Sequence, residues 1–243
     1  MELEDLGMSS AQLKTFERMF SNSNGLILVA GPTGSGKSTT LAGIIDYINN
    51  NFMRHIITIE DPVEYMFENK RSLINQRQLG SDTNSFNEAL RSSLRQDPDV
   101  IMVGEMRDIE TFRLALTAAE TGHLVLATLH TNSAAQTINR IIDVFPSEEK
   151  SAVRSILSGS IKAVISQRLV KKRDGGRCAA FEIMLANASV RNLIREDKIP
   201  QINSIIELSR KNGMLLLKDS LKDLMNNDVI TQEVAEEELL SYE

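Results

Sequence analysis

At 243 residues, 42% apolar and 25% charged, the chain has the make-up of one large globular domain, or a domain with a small appendage, and not that of a disordered segment. No apolar run approaches the roughly 18 residues of a bilayer-spanning helix, and the acidic opening Met-Glu-Leu-Glu-Asp-Leu lacks the basic and apolar regions of a secretory signal. The single Cys178 can form neither an internal disulfide nor a cysteine-based zinc site, which agrees with a reducing cytoplasm, and a net charge of −6 without a long basic run argues against sequence-independent nucleic-acid binding.

Residues 1–25 read as a leading helix and linker, with Leu13, Phe16, Met19 and Phe20 at helical spacing before a Ser-Asn-Ser-Asn-Gly break. An apolar run then leads into Gly31-Pro32-Thr33-Gly34-Ser35-Gly36-Lys37-Ser38-Thr39, and a helix from Thr39 to Asn50 carries Leu41, Ile44, Ile45 and Ile48 on one stripe. Glycine-x4-glycine-lysine-serine arises by composition in about one chain in a hundred of this length, and the flanking strand and helix make chance less plausible still. The chemistry is that of a phosphate cradle. Glycines let the backbone curl with its N–H groups inward, Lys37 reaches the β/γ oxygens, and Ser38 holds Mg²⁺.

His55–Glu60 reads as a second strand ending in Glu60-Asp61-Pro62-Val63-Glu64. Ligands of open α/β sheets bind at the carboxyl ends of strands, so Glu60, Asp61 and Glu64 either address Mg²⁺ or a water beside the γ-phosphate, or solvate a turn at Pro62. Leu73–Gln78 reads as a short strand and Phe86–Arg95 as a helix with Arg91 and Arg95 one turn apart. Asp97 to Glu105 is an apolar strand ending in an acid, the Walker B pattern with Gly104 in the usual aspartate position; Glu105 then polarises the attacking water or completes the Mg²⁺ shell. Asp108 caps a helix that stops at Gly122, and His123 to His130 is a strand with a histidine at each end. His130 falls on the same edge as Glu64 and Glu105, where it senses the γ-phosphate, whereas His55 has no such position.

This alternation through residue 142 predicts a parallel sheet covered on both faces. Beyond Pro146, residues 147–158 and 159–170 read as helices, and Lys171 to Arg177 as a basic hairpin turn, either solvated or touching the nucleotide, that leads to a strand at Cys178–Leu185. Ser189 to Tyr242 reads as helical, with core stripes at Val190, Leu193 and Ile194, at Ile202, Ile205, Ile206 and Leu208, and at Leu217, Leu221, Leu224 and Met225.

Four segments standing in order, 31–38, 57–65, 97–108 and 121–132, resemble the Walker A, Asp box, Walker B and His box of the type II/type IV secretion ATPase superfamily. Within it, Gly-Glu-Met-Arg-Asp (104–108) and Val-Arg-Asn-Leu-Ile-Arg-Glu (190–196) resemble the pilus retraction ATPases. The resemblance implies an α/β, RecA-like P-loop core at 26–187 with a mostly parallel sheet and a C-terminal helical appendage at 188–243. It implies a cytoplasmic ATPase motor at the inner face of the inner membrane, working as a homo-hexamer on an inner-membrane pilus platform protein and meeting the membrane only through that partner. ATP and Mg²⁺ are the implied cofactors. By the same resemblance Glu64, Glu105 and His130 are catalytic, residues 31–39 with Glu60 and His123 bind nucleotide, Ser38 and Glu105 hold the metal, and 190–196 serves retraction rather than ATP binding.

Assembly and type II secretion ATPases usually carry a paired-cysteine zinc element, and the lone cysteine favours the retraction branch over them. Family members also carry an N-terminal domain; the 25 residues before the first strand are fewer than such a domain needs, so the expectation is slow turnover and weak ring formation for the chain alone. The remaining alternative is a weakly active accessory subunit of a motor hexamer.

Overall fold

A computed structural model describes residues 7–8, 10–21 and 24–241. The linker residues 22–23, most of the segment ahead of the first helix, and Tyr242 lie outside the described residues. Among the described residues, seven strands form one sheet: β1 Gly25–Ala30, β2 His55–Glu60, β3 Leu73–Gln78, β4 Val100–Val103, β5 Leu124–Leu129, β6 Ile161–Lys171 and β7 Arg177–Leu185. Their spatial order is β3-β2-β4-β5-β1-β6-β7, every neighbouring pair being parallel except the β6–β7 hairpin. The expected α/β class with a mostly parallel sheet is what the chain adopts.

The helices are α1 Ser10–Ser21, α2 Lys37–Asn51, α3 Phe86–Ser93, α4 Ile109–Glu120, α5 Ala134–Asp143, α6 Lys150–Ser160, α7 Ala188–Arg195, α8 Ile202–Leu208, α9 Leu217–Asn226 and α10 Gln232–Leu240. They cover both faces of the sheet, which is why the central strands are apolar without alternation. On β1, Ile27 and Val29 meet Phe16 and Phe20 of α1 and the Leu41, Ile44, Ile45, Ile48 stripe of α2. Leu26, Leu28 and Ala30 face the other way, onto Phe112 of α4, Ile138 of α5 and Leu157 of α6. A smaller cluster joins Val170 and Ala180 of the hairpin to Leu217 and Leu221 of α9 and to Ala235 of α10. No described helix is long and apolar enough to cross a membrane.

Two expectations are overturned. Residues 159–170 are not a helix: α6 ends at Ser160, and Ile161–Lys171 is β6, parallel to β1 with Ala30 opposite Ser166. An apolar run of that length is compatible with either structure, and here its β-branched Ile161, Val164, Ile165 and Val170 go into the sheet. Leu208 is 82% exposed, because at the end of α8 it stands well off the helix face that buries Ile202 and Ile206.

Ile165 is 1% exposed at the middle of β6. Ile165→Ala is expected to cost about 2–5 kcal/mol, read as a lowered urea midpoint at unchanged slope; a loss well under 1 kcal/mol would be inconsistent with this packing.

Candidate active site

Because the strands are parallel, the carboxyl ends of β1, β2, β4 and β5 open on one edge of the sheet, and the loops leaving them line a cavity of about 700 Å³. The loop after β1 is the glycine-rich segment. Gly31, Gly34 and Gly36 all have positive φ, and a Cβ on Gly31 would stand 2.4 Å from the carbonyl oxygen of Gln167, so only glycine fits. Gly36, at φ 88°, is the N-cap of α2 and aims the unpaired N–H groups of that helix into the cavity. Lys37 is nearly buried, its ammonium donating to the carbonyls of Gly31 (2.9 Å) and Pro32 (3.0 Å). Burial pushes the Lys37 pKa down, and the charges of Glu105 and Glu64 oppose that shift.

Two hydroxyls at the start of α2 meet the loop that follows β2. Ser38 Oγ donates to Glu64 Oε1 at 2.8 Å, and the Thr39 and Tyr65 hydroxyls are 3.0 Å apart. That loop is held from β3: Gln78 Oε1 accepts from the Val63 N–H (3.1 Å), and the Gln76 amide accepts from the Phe67 N–H (2.9 Å) while donating to the Tyr65 carbonyl (2.8 Å). Gln76 and Gln78 thus position Glu64.

At the end of β4, Gly104 passes close to β2, where a Cβ would lie a tight 3.1 Å from the Ile59 carbonyl. Its carbonyl accepts the Thr128 hydroxyl from β5. Glu105 follows, paired with Arg107 at 2.6 Å and 3.4 Å from His130 Nε2. The Arg107 hydrogen bond holds the Glu105 carboxyl below the usual glutamate range, with His130 and Lys37 adding to the effect against partial burial.

Most of the sequence-predicted residues converge here. Thr33, Gly34, Gly36, Lys37, Ser38 and Thr39 line the cavity, with Glu60, Asp61, Glu64, Glu105 and His130 around them, while Gly31, Pro32 and Ser35 form the body of the loop. Glu60 is buried and engaged, its Oε1 accepting from Thr58 Oγ1 (2.7 Å) and Gln76 Nε2 (3.1 Å). His123 is not brought to the site. It precedes β5 at the opposite, amino-terminal edge of the sheet, with Nδ1 3.1 Å from the Ala118 carbonyl. The sequence reading did not single out Arg107, Thr128, Gln76, Gln78 or Gln167. An arginine two residues after the strand-end acid was the one local signal; the glutamines act across the sheet.

A glycine cradle between a parallel strand and a helix, its lysine and serine facing strand-end acids, defines a P-loop nucleotide-binding protein. The family model described as "Type II/IV secretion system protein" matches residues 1–236. The type IV pilus retraction ATPase PilT of Pseudomonas aeruginosa is 56% identical over 237 residues, covering 98% of this chain and 68% of that protein. A twitching motility protein of Neisseria gonorrhoeae is 56% identical over 236 residues, 97% of this chain and 62% of its own length. A crystal structure of the pilus retraction motor PilT with bound ADP superimposes with a TM-score of 0.90 at 50% identity, covering 98% of this chain and 66% of that one. The chain belongs to the type II/IV secretion system protein family, as one of its ATPases, and spans about two thirds of the length of these relatives.

Removing Arg107 takes away the largest influence lowering the Glu105 pKa. In Arg107→Ala the carboxyl ¹³C titration of Glu105 is therefore expected to move to higher pH, so that the group protonates earlier on acidification; an unmoved midpoint would show the ion pair to be electrostatically idle.

Proposed function

We propose that this chain is the ATP-hydrolysing core of a type IV pilus retraction motor. The observation that carries the reading is the meeting of Lys37 and Ser38 with two carboxylates from different strands, Glu64 on the Ser38 hydroxyl at 2.8 Å and Glu105 beside His130. The relatives named as a retraction ATPase and a twitching motility protein support its biological side.

In this reading the cradle N–H groups of residues 31–38 and the end of α2 bind the polyphosphate, and Lys37 turns its ammonium from the Gly31 and Pro32 carbonyls to the β/γ oxygens. Glu105, kept ionised by Arg107, accepts the proton of the attacking water, and His130 holds that carboxylate and senses the γ-phosphate. Glu64 orients the Ser38 hydroxyl. The hydroxyl and carboxylate oxygens of Ser38 and Glu105 are the hard donor set that suits Mg²⁺, which when bound neutralises charge on the β- and γ-phosphates.

The working assembly is a hexamer at the cytoplasmic face of the inner membrane, reached through a platform protein. Residues 190–196 fit a partner contact. Val190, Leu193 and Ile194 are buried and Arg191 is tied to the Gly159 and Ala186 carbonyls, which leaves Asn192, Arg195 and Glu196 on the surface.

Steady-state ATP hydrolysis with Mg²⁺ tests the reading. Lys37→Ala and Glu105→Gln are each expected to lower kcat/KM by about a hundredfold or more; equal rates in the parental chain and both variants would sink it.

A further inference from the structure

We propose that Gln167 is a positioning residue for the nucleotide loop, a brace reaching it from β6. The inference rests on the pocket binding nucleotide, as proposed above, but the brace itself is a property of the protein alone. Since β6 runs parallel to β1 with Ser166 opposite Ala30, the next residue of β6 stands beside the first glycine of the loop. Gln167 is 3% exposed there and uses both halves of its amide. Nε2 donates to the Ser35 carbonyl at 2.6 Å, and Oε1 accepts from the Thr40 hydroxyl at 2.7 Å. The Ser35 carbonyl accepts only from a donor, which fixes the amide's orientation.

Gln167 therefore touches the loop on each side of its tightest turn. Its backbone carbonyl occupies the space a Gly31 Cβ would need, its Nε2 lies 3.0 Å from where a Gly36 Cβ would stand, and its side chain spans Ser35 to Thr40 across the left-handed Gly36. The N–H groups of such a loop bind phosphate only when aimed together, and loop glycines otherwise sample many conformations. A brace that fixes the carbonyl of Ser35 also fixes the peptide shared with Gly36, and with it the N–H at the mouth of α2. Pre-ordering of this kind raises affinity by lowering the entropy lost on binding.

Gln167→Met keeps the volume and removes both hydrogen bonds; Thr40→Val removes only the one to Oε1. Ile165→Val on the same strand, opposite Val29 of β1, is a packing control that leaves both hydrogen bonds in place. Two readouts separate the brace from the function: amide hydrogen exchange of residues 31–36 without nucleotide, and Mg²⁺–ADP affinity by titration calorimetry, with thermal melts to verify folding.

Gln167→Met is expected to speed exchange in 31–36 and to weaken ADP binding about tenfold, Thr40→Val to do both to a smaller extent, and Ile165→Val to do neither. Unchanged exchange in both Gln167→Met and Thr40→Val would overturn the brace, as would equal loosening by Ile165→Val, which would mark the effect as general destabilisation. Should Gln167→Met fail to fold, Thr40→Val alone decides. Faster exchange in a chain whose parental form binds no ADP would uphold the brace and overturn the nucleotide reading instead.

Discussion

The near contact between the Gly31 backbone and the Gln167 carbonyl is the constraint on which the site depends. A strand leaving a parallel sheet must turn sharply to enter a helix on its face, and here the turn is made against a neighbouring strand that extends past the end of β1. With no room for a side chain at Gly31, only glycine lets the chain take this path. That path starts α2 at Lys37, buries the lysine under its own loop carbonyls, and presents Ser38 and Thr39 to the segment after β2.

Charge in the pocket is arranged by opposition. An ammonium partly removed from water tends to lose its proton, and the two carboxylates facing Lys37 oppose that shift without cancelling it. Each carboxylate has its own holder: Glu64 has the Ser38 hydroxyl, and Glu105 has Arg107. Polar support comes from elsewhere in the fold, with Gln76 and Gln78 fastening the loop that carries Glu64 and Thr128 fastening the end of the strand that carries Glu105.

The cradle was legible in the sequence because its chemistry is contiguous: each residue type between Gly31 and Ser38 has a job that its immediate neighbours define. The strand-end acids were legible for a related reason, since an apolar run that stops at a carboxylate marks an edge. Direction separates the two histidines of the fourth box. In a parallel sheet His130 leaves β5 at the ligand edge and His123 enters it at the far one, a distinction that spacing alone does not make. Where the sequence misleads outright, at 159–170, an apolar run of ambiguous period reads as helical, although its β-branched residues are the available hint. With that strand unrecognised, nothing pointed to Gln167, whose partners are more than a hundred residues away in the chain.

Consecutive residues on β6 serve different masters. Gln167 is held by the nucleotide loop, while Arg168 reaches the opposite way to Glu238 of α10 (3.1 Å) and to Ser241 beyond it. Strand parity therefore acts as a lock on alignment. If β6 slid by a single residue one way, Leu169 would stand opposite the Glu238 carboxylate in place of Arg168; slid the other way, Ser166 would stand in place of Gln167, too short to span Ser35 and Thr40. A slip in either direction breaks at least one of the two contacts, so one pair of adjacent side chains checks the pairing of β6 against β1 and the seating of the last helix.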